Sequence, residues 1–201
     1  MNLINKLKSV AGFRKEKLAK SAEQDYCKIL KDDSIDVVFA KKLIQKNGIF
    51  FYCDTQAKLI KTIQALVDKI NVHSMYCTEK ILQELLNKIP INYNANYTSC
   101  DAIISSCEYL IADHGKVMLS SKQLGPHNIK NLPKEHIIIA YTSQIVKNLN
   151  DSMSGINTRY IDNLPSTITT ITSSSEEKKE NLEGNIKNLS VILIEDYNTK
   201  S

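Results

Sequence analysis

Tryptophan is absent from this chain of 201 residues, and glycine and proline are scarce, at six and four residues. So few glycines leave little room for a phosphate cradle, and no G-x-G-x-x-G or Walker pattern occurs. The five cysteines, Cys27, Cys53, Cys77, Cys100 and Cys107, are odd in number and widely spaced. None sits in a C-x-x-C, so zinc ribbons and iron–sulfur ligand runs are excluded and reduced thiols are expected. No apolar run approaches the roughly 18–20 residues that span a bilayer. The first residues also lack the continuous apolar core of a secretory signal, so the expected location is cytoplasmic, with no membrane partner.

Charge is unevenly spread. Residues 1–20 carry six basic side chains (Lys6, Lys8, Arg14, Lys15, Lys17, Lys20) against Glu16, in a chain whose net charge is +4. The remainder is close to neutral, at about −1. Leu3, Leu7 and Val10 fall on one helical face, so residues 1–30 read as a basic helical leader ahead of one domain at 31–201. Without basic–aromatic interleaving, the leader reads as a solvated helix and not as a nucleic-acid arm.

What is present is an alternation of strands and helices. Ser34 is placed to cap a helix through Lys46, and Ile49–Cys53 reads as a strand. Ile60, Ile63, Val67 and Ile70 mark a second helix capped by Asp54 or Thr55. Val72–Cys77 is a short strand. Thr78 opens a helix whose stripe is Ile81, Leu82, Leu85, Leu86 and Ile89, closed by Pro90. Two such alternations argue for a parallel sheet with crossover helices, an α/β fold.

Ile91–Cys100 reads as loop and Asp101–Cys107 as a short helical turn. From Glu108 to Tyr141 lies the most informative stretch. Tyr109–Ala112 and Val117–Leu119 flank Asp113-His114-Gly115, a hairpin with Gly115 free to take positive φ. Leu124–Glu135 is a loop with two prolines, and His136–Tyr141 is an apolar strand buried on both faces. Ser143 is predicted to cap a helix to about Met153, and Ser166–Ile171 alternates as a strand. Ser173-Ser174-Ser175-Glu176-Glu177 opens a charged helix ending near Gly184, and Leu189–Glu195 is a last strand.

Candidate chemistry is sparse. His114, His127 and His136 lie 13 and 9 residues apart without H-x-x-x-H or H-x-E spacing, which argues against a metal site; His136 reads as a hydrogen-bonded structural side chain. Gly125-Pro126-His127-Asn128 and Ser173–Ser175 offer donors to an anion, although Glu176 and Glu177 occupy the first turn beside the serines. Cys100 and Cys107 have no basic neighbour, and Ser105 and Ser106 lack a nucleophile elbow. Glu108 and Asp113, five apart around a strand, face opposite ways, which argues against a carboxylate pair.

DAIISSCEYLIADHGKVMLSS from Asp101, followed by GPHNIKNLPKEHIIIAYTSQIV from Gly125, resembles the LUD-domain family of lactate utilization proteins, specifically the C-type small subunit. The family's A-E-T-G turn matches Ala112-Asp113-His114-Gly115. Its glycine-arginine loop matches Gly125, and its L-P-P-x-H-I segment matches Leu132-Pro133-Lys134-Glu135-His136-Ile137. The resemblance implies a NagB/RpiA/CoA-transferase-like α/β fold, a mostly parallel sheet with helices on both faces. It also implies an accessory role beside iron–sulfur partners that oxidise L-lactate to pyruvate, with no cofactor in this chain.

Three departures stand out. Asp113 and His114 replace glutamate and threonine, Pro126-His127 follows the loop glycine where the family has arginine, and Ser173–Glu177 replaces the family's G-P-S-R-T. The implied cleft comprises Asp113, His114, Gly115, Lys116, Gly125, His127, Asn128 and Ser173–Ser175, with His114 as an acid/base. Its expected ligand is an anionic small molecule. A scaffold that has lost its ligand is the remaining alternative, because serine and glutamate do not replace an arginine fork.

Overall fold

The computed structural model describes residues 28–94, 96–173 and 185–196. Most of the basic leader and the charged helix expected after Ser173 therefore lie outside the described residues. Around Lys31–Asp33 the chain turns, and Asp33 is held by Lys41 Nζ at 2.7 Å.

Six strands form one fully parallel sheet in the order β1-β10-β7-β4-β2-β3. They are β1 (Ile49–Cys53), β2 (Ser74–Tyr76), β3 (Asn92–Asn94), β4 (Ala102–Ser105), β7 (Glu135–Tyr141) and β10 (Asn188–Ile194). The central strands are apolar at nearly every position because both faces are covered. In β7, Ile137 and Ile139 point to one face while Ile138 and Ala140 point to the other.

Helices α2 (Gln56–Ile70) and α3 (Lys80–Leu86) cover the first face with Leu59, Ile63, Leu66, Leu82, Leu85 and Leu86. Of the two caps the sequence offers, Thr55 is the one used, accepting from Lys58 N, and Asn71 ends α2 at φ 54°. Ile81 departs from the expected stripe: it is 71% exposed. Helix α1 (Ile35–Gln45) lies on the other face, burying Val37, Phe39, Ala40 and Leu43.

Beside α1 sits a second sheet that the sequence did not announce, in the order β8-β5-β6-β9. Strands β5 (Tyr109–Ile111) and β6 (Lys116–Ser120) form the expected antiparallel hairpin, and β8 (Ile145–Val146) and β9 (Ile168–Ile171) flank it. One side of this sheet joins the α1 core through Leu110, Val117 and Leu119, while Tyr109, Ile111 and Met118 pack with Ile156 of α5 (Leu149–Arg159). The short α4 (Ser121–Leu124) follows β6.

Two local expectations are corrected. Ala102–Ser105 is strand β4 and not a helical turn, because four buried residues fill the gap between β2 and β7. Ser143 does not cap a helix, since Thr142–Gln144 is a 3-10 turn whose Ser143 N and Oγ donate to Asp196 at 2.7 and 2.9 Å. The helix starts later, capped by Asn148 accepting from Asp151 N.

The Leu124–Glu135 loop contains a 3-10 turn, Ile129–Asn131, fastened from below. Lys187, 2% exposed, donates from Nζ to Ile129 O at 2.7 Å, Leu132 O at 2.9 Å and Pro133 O at 3.2 Å. Three carbonyls are the acceptors an ammonium needs when no carboxylate is at hand.

His136 is fully buried and shares a 2.8 Å hydrogen bond with Ser105 Oγ. Burial, then the charge of Lys187, pushes its pKa down to about 3. The unfolded chain takes up a proton near pH 6.5 that the folded chain refuses until about pH 3, so stability falls as pH drops through that window. The slope from this group is at most about 1.4 kcal/mol per pH unit. Urea unfolding at pH 7 and pH 4.5 should show that loss, and His136→Gln, which keeps a partner for Ser105, should remove more than half of it.

Candidate functional site

In an open parallel sheet, ligands sit where neighbouring strands send their connections to opposite faces, at the carboxyl ends of those strands. Here that place lies between β2 and β4. From β2 the chain leaves through α3 on the first face, and from β4 it leaves through the hairpin on the other. Thr78 and Glu79 follow β2, while Ser106, Cys107 and Glu108 follow β4.

Across this gap the Glu79 carboxylate accepts from Ser106 N at 2.7 Å and from Ser106 Oγ at 2.5 Å. Both residues are half-buried. Burial raises the Glu79 pKa; the two Ser106 bonds oppose the shift, and the charge of Glu108 adds to it. A carboxyl tuned upward at such a position is a recognised mark of a functional group. The thiols on either side are quiet: burial lifts Cys77 to about 11 and raises Cys107 further, so neither ionises at neutral pH.

The segment after β6 walls the gap. Tyr76 OH donates to Leu124 O at 3.0 Å, and Thr78 Oγ1 donates to Gln123 O at 2.9 Å. Gly125, at φ 66°, lies over the end of β2, where a Cβ would stand 3.1 Å from Tyr76 Oη. A side chain there would be strained in backbone and tight in space.

Beneath the gap Glu108 is wholly buried, and both of its oxygens accept hydrogen bonds. Its Oε1 accepts from Ser120 Oγ at 2.7 Å, Gln123 Nε2 at 3.0 Å and Tyr160 OH at 3.1 Å. Arg159 Nη1 donates to Oε2 at 2.9 Å, and Arg159 Nη2 reaches Tyr109 OH at 3.3 Å. The guanidinium also lies over the Tyr109 ring, 5.0 Å from its centroid.

The residues singled out in the sequence are distributed among different neighbours. Asp113 and His114 are exposed in a 3-10 turn, and Asp113 N donates to Lys147 O at 2.9 Å. Gly115, at φ 54°, backs onto α1, where a Cβ would fall 2.7 Å from Leu43 N; Lys116 is half-buried at the start of β6. Gly125 meets the β2–β4 gap. His127 packs its ring 4.6 Å from that of Tyr97 and 5.8 Å from that of Tyr76, and exposed Asn128 caps the next turn through Lys130 N. Ser173 is half-buried just after the bridge between Thr172 and Ile186, while Ser174 and Ser175 lie outside the described residues.

Sequence reasoning took Thr78 only as a helix cap, a place that Glu79 holds instead, passed over Glu79 and Arg159, and set Ser106 and Glu108 aside. A usable signal existed for Arg159, one of two arginines among 26 basic residues, since a buried or stacked ion pair favours arginine over lysine. For Glu79 and Ser106 the signal was positional: both follow strand ends.

These features define an α/β protein whose parallel sheet has a switch point between β2 and β4. The LUD domain family matches residues 88–194, more than half of the chain, and the protein belongs to that family. The fold is similar to the crystal structure of a DUF162 family protein from Deinococcus radiodurans, with a TM-score of 0.60 over 80% of this chain and 96% of that one, at 14% identity. A comparison with curated proteins gave no match. Among the described residues no helix is long and apolar enough to cross a membrane, and no three His, Cys, Asp or Glu side chains converge on a metal position.

Removing one partner of a buried ion pair strands the other charge, typically at a cost of about 3–5 kcal/mol. Because Arg159 keeps 43% of its side chain in water while Glu108 has none, the two deletions should be unequal. Arg159→Ala strands the charge of Glu108, which has no exposure to water, and should cost about 3–5 kcal/mol. Glu108→Ala leaves a guanidinium that water can reach, so it should cost less, about 1–3 kcal/mol, chiefly because Gln123 and Tyr160 lose their acceptor. Chemical denaturation of the two variants and the double variant would measure this, with coupling expected to be well above zero.

Proposed function

We propose that this chain is the accessory, non-cluster component of lactate or related organic-acid oxidation, acting with iron–sulfur partner proteins. The observation that carries this reading is the LUD domain match across residues 88–194, which takes in the hairpin, the loop and strands β7 and β10. The sequence supports the non-cluster part, since its cysteines are scattered and no C-x-x-C occurs. Electron transfer in such a system falls to the partners, and this chain supplies binding and assembly. The test is an affinity pull-down of the full chain from cells oxidising L-lactate, paired with deletion of its gene. A cysteine-rich, iron-containing protein should co-elute, and growth on L-lactate should slow. No such protein, with growth unchanged, would end the proposal.

A second reading is favoured by one specific observation, the half-exposed Glu79–Ser106 pair at the switch point. In this reading the β2–β4 gap binds a small molecule, with Glu79 as hydrogen-bond acceptor or proton carrier. A ligand that binds the folded chain raises its melting temperature by mass action, by about 2.7 kcal/mol of stability at a hundredfold excess over Kd. A screen of amines, small hydroxy acids, sugar phosphates and acyl-CoAs should return at least one such shift that Glu79→Gln abolishes. A flat screen counts against the reading.

A further inference from the structure

The two edges of the parallel sheet are built differently. At one end β3 is three residues long, Asn92–Asn94, and polar, which is how natural sheets keep an edge from pairing. At the other end β1 runs for five residues, Ile49–Cys53, with no lysine, proline or charge. Its one strand partner among the described residues is β10, and Ile49, Phe51 and Tyr52 are only half-buried there.

Backbone direction shows what this edge offers. Glu195 N donates to Cys53 O at 3.3 Å, so Cys53 turns its polar groups toward β10, and by the alternation of a strand Ile49 and Phe51 do the same. Phe50 and Tyr52 therefore turn their N–H and C=O groups outward. None of these groups has a backbone partner among the described residues.

Turned about a two-fold axis through Phe51, the strand matches itself. In an antiparallel pair with that centre, Phe50 of each copy faces Tyr52 of the other, and the two exchange both of their backbone hydrogen bonds. Phe51 faces Phe51 and Ile49 faces Cys53, so aromatic meets aromatic and apolar meets apolar, with no charge opposed. With the centre on Phe50, Tyr52 would instead face Gly48, whose amide is already given to Leu43 O at 3.0 Å. The reversal also brings the Lys46 end of one strand alongside the Asp54 end of the other, opposite in charge, and Asp54 Oδ1 is buried with no donor among the described residues.

We propose that β1 is an interface between two copies of this chain, which join edge to edge about a two-fold axis and run their parallel sheets into one. The contact is isologous and closes at two copies, so no pairing edge is left at β1. Phe51 on the α2 face and Tyr52 on the α1 face, each partly covered within its own chain, gain burial from the second copy.

The experiment follows the full chain from micromolar to near-millimolar concentration by sedimentation and by amide hydrogen exchange, read with nitrogen-15 NMR. The chain should sediment as a dimer at the upper end. The amides of Phe50 and Tyr52 should gain protection as concentration rises, while those of Phe51 and Cys53 stay protected throughout. Phe51→Glu sets two like charges across the axis and should weaken association about a hundredfold or more. In Phe51→Cys the two Cα atoms would stand about 4.5 Å apart, within disulfide reach, so mild oxidation should give a linked dimer mapped to that position by peptide mass analysis. Exchange on the unsubstituted chain and the cross-link decide the matter if Phe51→Glu does not fold. A chain that stays monomeric, with the Phe50 and Tyr52 amides open at every concentration, would overturn the proposal. A monomer with those amides protected at every concentration would overturn it as well, and would put another segment of the same chain on this edge. A dimer that ignores Phe51→Glu and gives no cross-link at position 51 would move association to a different surface and sink the β1 interface.

Discussion

One buried carboxylate holds the unusual half of this fold in place. Glu108 leaves the end of β4 and is met by donors from β6, α4 and the end of α5, so three elements that follow it in the chain close on a single group. A carboxylate with no exposure is tolerable only when each oxygen is bonded and its charge is answered. Arg159 supplies the charge, and Ser120, Gln123 and Tyr160 supply the bonds. Satisfying Glu108 therefore fixes where the second sheet and α5 sit against the carboxyl edge of the first.

The opposite end of that second sheet is fixed by steric fit. Gly115 brings the hairpin turn against the backbone of Lys42 and Leu43, an approach that any Cβ would block. The turn that most resembles the family motif is thus a packing contact with α1 at Gly115, while Asp113 and His114 face water. Between these two anchors, the hairpin lays Leu110, Val117 and Leu119 onto the α1 core. The parallel sheet is consequently covered on one face by helices alone and on the other by α1 together with a second sheet.

Much of this was legible in the sequence wherever burial is two-sided. Ile49–Cys53, His136–Tyr141 and Leu189–Glu195 are continuous apolar runs because each strand is covered above and below, and each was placed within a residue or so. The hairpin was legible from its glycine. Ala102–Ser105 was not, since an apolar run of three residues is too short to tell strand from helix by its pattern, and it is extended by its neighbours β2 and β7. Ser143 misled for a related reason: its hydroxyl and amide are committed to Asp196, 53 residues away, a partner that no local capping pattern contains. The gap between β2 and β4 was hidden for the same cause, since Glu79 and Ser106 meet across 27 residues of chain.

The contrast between the two glutamates bears on what the protein does. Both lie at the carboxyl edge, both sit close enough for one charge to act on the other, and both bond to serine. Glu108 has its arginine, two further side-chain donors besides the serine, and no contact with water, which is the arrangement of a group whose work is to hold elements together. Glu79 has one serine, partial exposure and no cation. Ser106 presents two hydrogens, and a carboxylate offers one oxygen to each where an amide has a single acceptor oxygen, so holding β2 to β4 engages both oxygens of Glu79. Its exposed part lies at the switch point of a parallel sheet, within reach of a partner from solution, which is what the small-molecule reading requires.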